Sequence, residues 1–200
     1  MNLLNILKPL NHLDNMKHLQ IFENFSDIDV ICKKHGIRIH GNYTINSDGT
    51  IDVDGDVILS DRLTKLPLKF GRVTGDFICS YNQLVSLRGC PTEVGGDFDC
   101  MDNKLVSLEG GPTEVGGGFN CSYNKLVSLE GGPYSVGGGF NCSNNPISVI
   151  YNLFGSLKEF QDSMDYGYLR GTDIIKLRFK EALEEIGVKL PKEIKGYNYI

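Results

Sequence analysis

Four cysteines follow one another at a constant interval of 21 residues, at positions 79, 100, 121 and 142. A fixed period of this length indicates a repeat protein, in which each repeat packs on its neighbours and the chain winds into a solenoid. Three near-identical copies begin at Gly75, Gly96 and Gly117, and a truncated copy begins at Gly138. A diverged copy, one residue shorter, begins at Gly55. We therefore predict a stack of coils, each coil being one copy of the repeat.

Each of the three near-identical copies contains the pattern Phe-x-Cys-x-x-Asn-x-Leu-x-x-Leu, which fixes the direction of its side chains. Phe98 and Cys100 are two residues apart, so in a strand both point to one side and enter the core. The asparagine follows where the chain turns away from the strand, and its amide group can bond to the backbone of neighbouring coils. The sequence thus predicts an internal ladder of asparagines, formed by Asn82, Asn103, Asn124 and Asn145.

Glycine explains how so short a coil can close. It makes up 24 of the 200 residues, and 14 of those 24 lie between positions 75 and 139. Runs such as Gly95-Gly96 can adopt backbone conformations that cost other residues steric energy. Because the coil is near the lower limit of length, we expect turns and no full helix on its outer side. Val94, Val115 and Val136 are predicted to close that outer wall.

The residues ahead of the repeats predict a helical cap and a hairpin. Residues 1–20 are expected to be helical, and Ser26 is a candidate N-cap for a helix that would end at Gly36. Further on, apolar and polar residues alternate on either side of the turn signal Ser47-Asp48-Gly49-Thr50. This pattern is typical of two antiparallel strands joined by a bulged turn.

The residues after the repeats predict two helices. Ser156 is a candidate N-cap with Glu159 at the capping-box position, and Thr172 is a candidate N-cap for a helix that would end at Gly187. The second helix has one apolar face and a polar face of mixed charge. Docking of this helix on the last coil is favoured over a membrane or partner helix.

The repeat pattern resembles the leucine-rich repeat, with phenylalanine and cysteine in place of its first two leucines. The resemblance implies an α+β protein built as a short leucine-rich-repeat solenoid, with coils of about 21 residues and parallel strands. Helical caps are expected at both ends. The predicted division is a helical N-terminal cap over residues 1–41, the hairpin and solenoid over 42–150, and a helical C-terminal cap over 151–200.

A narrower resemblance covers about residues 32–150. Motifs such as NYTINSDGTIDVDGDV, LPLKFGRVTGDF and NKLVSLEGGP are similar to those of leucine-rich-repeat-like proteins that tailed bacteriophages and bacteria encode. The resemblance implies a cytoplasmic setting, which is the host cytoplasm if the protein comes from a phage. It implies no shared enzymatic activity.

Charge narrows the class of partner. The chain has a formal net charge of −5, and the stretch from Gly75 to Asn145 contains three basic and eight acidic residues, so it alone accounts for 3 − 8 = −5. A nucleic-acid partner is therefore disfavoured, and a protein partner with a basic surface is favoured. No apolar stretch is long enough to predict a membrane span.

Motifs for catalysis or metal binding are weak. The run from Asp52 to Asp56 departs from a calcium loop in the position of its glycine and of its last ligand. The four periodic cysteines are interpreted as buried apolar residues, and Cys90, which lies off the period, as a free thiol at or partly below the surface. We predict no enzyme, no metal site and no cofactor.

We therefore predict that any binding surface is the outward face of the strands, because solenoids bind through extended surfaces of this kind. Tyrosine and methionine are favoured at protein interfaces. A solvated sheet with scattered tyrosines is an equally weighted interpretation of the same residues. The candidate protein-binding residues are Ile78, Tyr81, Gln83, Asp97, Asp99, Met101, Asp102, Lys104, Asn120, Tyr123 and Lys125.

Three classes of function remain open at this point. The favoured hypothesis is a non-enzymatic protein–protein interaction module, phage-encoded, that binds and inhibits a host protein during host takeover or counter-defence. The alternative is a structural protein that self-associates into a homo-oligomer. The third is a small-molecule binder or enzyme that uses a pocket near the N-terminal cap.

Overall fold

The computed structural model describes residues 27–60, 62–164, 169–170 and 172–200. Ser26 and the helix expected over residues 1–20 lie outside these ranges. The described chain combines a ten-stranded sheet and a three-stranded sheet with four helices, so its class is α+β with a solenoid-like repeat. No described helix is long and apolar enough to cross a membrane.

A hairpin precedes the coils. Helix α1, over residues 27–35, ends at Gly36, whose φ is 61°. Strand β1 (Ile37–Ile45) pairs antiparallel with β2 (Ile51–Leu59) over their full lengths. The hairpin thus agrees with the alternation of the sequence, although β1 starts five residues before the boundary placed at residue 42.

Strand β2 is the strand from which two rows of short parallel strands begin, one on each side of it. Its first part, from Ile51 to Val53, pairs parallel with β3 (Phe70–Val73), and its later part at Val57 pairs parallel with β4 (Phe77–Ile78). Between these parts lies Gly55, where φ is 144° and a Cβ atom would lie 1.9 Å from the carbonyl oxygen of His40. Only glycine fits there, and the strand can change direction to serve two rows of strands.

The first row, which we name the Phe ladder, contains the strands predicted from the repeat. Its members pair in register, phenylalanine beside phenylalanine. The rings of Phe77 and Phe98 stack with centroids 5.7 Å apart and planes 7° apart, which is the offset arrangement that aromatic pairs prefer. The strands are β4, β6 (Phe98–Asp99), β8 (Phe119–Asn120) and β10 (Phe140–Asn141).

The second row, the Val ladder, differs from the sequence prediction. The three valines expected to close the outer wall lie in short parallel strands of their own, where only turns were expected, so each coil contributes two strands to the sheet. Val94 and Val115 are buried, whereas Val136 in the last strand is half-buried. The strands are β3, β5 (Glu93–Val94), β7 (Glu114–Val115) and β9 (Ser135–Val136).

The core between the ladders contains the predicted columns. The periodic cysteines and the repeat leucines are buried, as the pattern requires. Cys90 was expected at or partly below the surface, and this expectation is wrong. The residue is 5% exposed and lies inside the core, where its thiol faces Cys79 and Cys100. Desolvation raises the pKa of the Cys90 thiol well above its usual range. All six cysteines are free.

The asparagine ladder is present. Asn103 Nδ2 donates to the carbonyl oxygens of Cys79 and Cys100, both at 3.0 Å, and its Oδ1 accepts the amide of Leu84 at 2.9 Å. Asn124 and Asn145 repeat these bonds one and two coils further along. Each side chain therefore joins two coils at a buried position.

The C-terminal part packs on the last coil. Gln161 Nε2 donates to the carbonyl of Pro133 at 2.6 Å, and the Tyr197 hydroxyl donates to the carbonyl of Val127 at 2.9 Å. The helices are α2 (Ser148–Tyr151), α3 (Leu157–Met164) and α4 (Lys176–Glu185), and the three-stranded sheet contains β11 (Leu169–Arg170), β12 (Asp173–Ile174) and β13 (Asn198–Tyr199).

Of the two N-caps predicted for this part, Ser156 is confirmed and Thr172 is wrong. The amide of Glu159 donates to Ser156 Oγ at 3.1 Å, so Ser156 caps the helix as predicted, whereas Glu159 Oε2 accepts the amide of Gly155, one residue earlier than in a capping box. Thr172 is not an N-cap, because the residues that follow it pair in β12 and the helix starts at Lys176.

Candidate protein-interaction face

The outward side of the Phe ladder is a set of short columns. Because the strands pair in register, side chains 21 residues apart become neighbours at about 4.8 Å. Ile78, Asp99 and Asn120 form one such column, and all three are half-buried. Together with Asp97 they line a shallow cavity of about 340 Å³. The sequence-predicted residues of this column are therefore brought together.

Local hydrogen bonds fix the polar members of this column. Asp99 Oδ1 accepts the amide of Met101 at 2.9 Å, and Asn120 Oδ1 accepts the amide and the hydroxyl of Ser122. These are Asx turns, in which the side chain holds the backbone two residues ahead. Asp99 and Asn120 therefore have fixed orientations, and Met101 is half-buried beside them.

The tyrosine column has an unusual backbone. Tyr81 and Tyr123 have φ of 58° and 54°, in the left-handed region, and Asp102 between them has φ of 51°. This conformation costs most residues energy and is tolerated best by glycine, asparagine and aspartate. The two tyrosine side chains are 66% and 57% exposed. The chain thus holds two large rings outward at strained positions.

Beside the tyrosines lies a column with positive charge. Lys104 Nζ donates to Gln83 Oε1 at 2.9 Å, and Lys125 occupies the next coil. Lys104 and Lys125 are exposed, and Gln83 is half-buried. The face therefore changes from acidic at Asp97 to basic at the lysines.

Asp97 has a structural bond that the sequence did not predict. Its Oδ1 accepts the amide of Gly118 in the next coil at 2.6 Å, just as Asp76 Oδ1 accepts the amide of Asp97 at 2.7 Å and Asp56 Oδ1 that of Asp76 at 2.9 Å. These aspartates form a second ladder, at the edge of the sheet. One oxygen of Asp97 is therefore committed to the fold, and no signal other than the spacing of 20 or 21 residues indicated it.

A separate cavity lies near the N-terminal cap, where the third class of function would need one. It measures about 260 Å³ and lies between the hairpin and the first coil, with Tyr43, Asp54, Arg72 and Thr74 among its walls. Thr74 Oγ1 donates to Asp54 Oδ1 at 3.0 Å, and Arg72 forms an exposed ion pair with Glu93. Asp54, Thr74 and Arg72 thus already have partners within the protein.

Metal-binding geometry is not found in the described part of the chain, where no three histidine, cysteine, aspartate or glutamate side chains cluster to hold an ion. The chain was compared with family models, curated proteins and solved structures, and no match was found in any of the three.

Proposed function

We propose that this chain is a non-enzymatic protein–protein interaction module whose binding surface is the outward side of the Phe ladder. The observation that carries the proposal is the exposure of Tyr81 and Tyr123, at 66% and 57%, on a backbone that is strained at both positions. The same left-handed conformation recurs at Arg62, Asp102 and Asn144, so it belongs to the turn of each coil, and that turn fixes the two rings in outward positions.

The rigidity of the face supports binding rather than catalysis. The ladder fixes the strand backbone, and the Asx turns of Asp99 and Asn120 fix the polar side chains between the tyrosines and the cavity. A surface organised before its partner arrives loses little conformational entropy on binding. Exposed aromatic rings surrounded by fixed polar groups are typical of interaction hot spots.

The partner we propose is a host protein with a basic surface, bound in the host cytoplasm by a phage-encoded chain. The acidic groups of the coils, such as Asp76, Asp97 and Asp99, support a basic partner, because complementary charge speeds and orients association. The phage origin, the cytoplasmic setting and inhibition of the partner rest on the resemblance of the repeats and are part of the same proposal.

We also propose that the coils are a short form of the leucine-rich repeat. The asparagine ladder and the burial of every Phe, Cys and Leu column from Phe77 to Leu126 support this assignment. The second strand in each coil and the aspartate ladder are additions to that pattern.

Capture of partners from a bacterial host lysate tests the binding face. The variant Tyr81→Ala, Asp99→Ala, Tyr123→Ala is compared with the wild type and with Leu177→Ala, which truncates an equally exposed apolar residue on α4. We expect Leu177→Ala to retain the captured partner and the triple variant to lose it. Equal capture by all three proteins would refute the face assignment.

Two further measurements show whether a loss of capture is due to the binding face. Circular dichroism of the triple variant must match that of the wild type, so that lost capture reflects the face and not the fold. Capture should also weaken as salt is raised, because screening acts on the charge complementarity that selects a basic partner. Capture that is independent of salt would contradict that part of the proposal.

A further inference from the structure

The last coil ends in an open sheet edge. Among the described strands, none pairs with the outer side of β9 or β10. Within the Val ladder, three amides of each coil donate to carbonyls of the coil before it. The amides at 113, 116 and 117 donate to the carbonyls at 92, 94 and 96. One coil later, the amides at 134, 137 and 138 donate to the carbonyls at 113, 115 and 117. The carbonyls of Tyr134, Val136 and Gly138 are the next members of this series, and no described residue donates to them.

The edge also presents a free donor. In the inner coils, Phe98 and Phe119 donate their amides to the carbonyls of Gly118 and Gly139, one coil ahead. The amide of Phe140 is the next of this series and has no acceptor in the described chain. Three acceptors and one donor therefore lie in a row, spaced for a parallel strand.

A groove follows this edge. A cavity of about 410 Å³ lies between β9 and α3, with Val136 and Phe140 on one side and Tyr151 and Leu157 on the other. The helices cap the core without completing the sheet. Val136 is half-buried here, whereas Val115 in the same ladder is 2% exposed because the next coil covers it. The part of Val136 that no following coil covers is thus the apolar surface that an added strand would bury.

From this geometry we infer that the groove binds an extended peptide that adds as a parallel strand on β9. Addition of a strand to an exposed edge is a known mode of peptide recognition, in which the backbone gives affinity and side-chain pockets give specificity. The strand in question is a partner's, distinct from the surface of the Phe ladder.

The register defines the peptide's sequence. A Cβ atom at Gly116 would lie 2.2 Å from the Gly95 carbonyl oxygen, and one at Gly137 would lie 2.2 Å from the Gly116 carbonyl oxygen. The next position, Gly117, also has no room for a side chain, because a Cβ atom there would lie 2.8 Å from the Gly96 carbonyl carbon. A strand that follows the same register over β9 must therefore carry two glycines after an apolar residue that covers Val136.

The peptide must leave the groove soon after these glycines. The ring of Tyr151 packs against Phe140 with centroids 5.5 Å apart and planes tilted by 48°, on the side where a further phenylalanine of the ladder would lie. The ligand is therefore an extended apolar-Gly-Gly segment without an aromatic residue two positions after the second glycine.

A synthetic peptide with the sequence of residues 112–118, acetylated and amidated, is the probe. We expect it to shift the backbone amide signals of residues 134–140 in NMR titrations of the full chain. A control peptide with alanine at the positions of Gly116 and Gly117 should bind at least tenfold more weakly, since each methyl group would meet a backbone atom.

The register can also be tested by a substitution in the protein, with the peptide unchanged. Gly139 aligns with Asp76 and Asp97, whose carboxylates accept an amide of the following coil, and a Cβ at Gly139 meets nothing within 4 Å. Gly139→Asp should therefore accept an amide of the bound peptide and tighten binding about tenfold. Gly139→Leu occupies the same space without an acceptor and should not.

The outcomes separate the inference from its rivals. Equal binding of both peptides, shifts confined to other elements, or no shift at millimolar peptide would overturn it. A dimer in light scattering that the peptide does not dissociate would assign the edge to a second copy and overturn it as well. Capture of a partner by the Phe ladder is unaffected by any of these results.

Discussion

Asn103 Nδ2 lies 3.0 Å from the carbonyl oxygen of Cys79, so a side chain of one coil completes the backbone bonding of the coil before it. The same amide group bonds to Cys100 and the carbonyl oxygen of the side chain to Leu84. All three groups are buried with it. The asparagine thus performs the role that water performs in an exposed turn.

Asn103→Leu should strongly destabilise the solenoid. The substitution leaves the buried amide of Leu84 without a partner and removes one of the two asparagine donors from each of the carbonyls of Cys79 and Cys100, so we expect a loss of about 2 kcal/mol in the free energy of unfolding. Urea denaturation measures it. Lys104→Ala, one residue along and exposed, should change the same quantity by about 0.5 kcal/mol or less. Similar losses in both variants would contradict the buried ladder.

Gly116→Ala tests the close approach of coils. Its new methyl group would lie 2.2 Å from the Gly95 carbonyl oxygen, so the coils must separate, at a cost of about 1–3 kcal/mol. Gly139→Ala is the matched control, because a Cβ there meets nothing within 4 Å. Thermal unfolding should show a lowered midpoint for the first variant and an unchanged one for the second.

Tyr81→Asn should stabilise the protein. Asparagine tolerates a φ of 58° better than tyrosine does, and the ring of Tyr81 is mostly exposed, so about 1 kcal/mol is gained for little lost packing. Tyr134→Asn serves as control, because Tyr134 is equally exposed and has no positive φ. If the proposed face is correct, the stabilised variant also captures less partner.

The buried thiols predict how stability depends on pH. Desolvation raises the pKa of the Cys142 thiol from 9.0 to about 12 and raises those of Cys100 and Cys121 as well. A raised pKa in the folded state means that stability is complete below the unfolded value and falls as pH rises through it. Denaturation midpoints should therefore be constant between about pH 7 and 8 and fall by about pH 9.5, before tyrosines ionise.

Alkylation counts the thiols directly. The six cysteines are free, five are buried and Cys32 is half-buried. The denatured, unreduced protein should gain six alkyl groups in mass spectrometry, and the native protein at most one in the same time. Fewer than six in the denatured protein would require a disulfide or a bound metal.

The sequence predicted the period, the core columns and the asparagine ladder because each is a recurring residue type with one dominant role. It missed the Val ladder, since a two-residue strand has no alternation to detect. It missed the role of Asp97, because a carboxylate on the outward side of a strand is ordinarily solvated. The burial of Cys90 depends on what lies across the core, and the start of α4 depends on pairing with β13, neither of which is encoded locally.

The candidate site was predictable as a set of columns but not in its conformations. The period of 21 residues assigns Ile78, Asp99 and Asn120 to one column. The left-handed backbone of Tyr81 and Tyr123 follows from the turn that the buried asparagines impose immediately afterwards. A tyrosine gives no sign of such a conformation, and the signal lies in Asp102 and Asn144, which occupy the same column and have the same left-handed φ.

The in-register ladders have an evolutionary consequence. Because the coils from Gly96 and Gly117 meet their neighbours through nearly the same groups, an in-frame duplication of one coil's coding segment inserts a unit whose two surfaces already match. The protein can therefore lengthen or shorten by whole coils while its two ends stay unchanged, and the outward columns are free to diverge copy by copy. A lineage under pressure to recognise a changing target gains reach and variety in this way without having to evolve a new core.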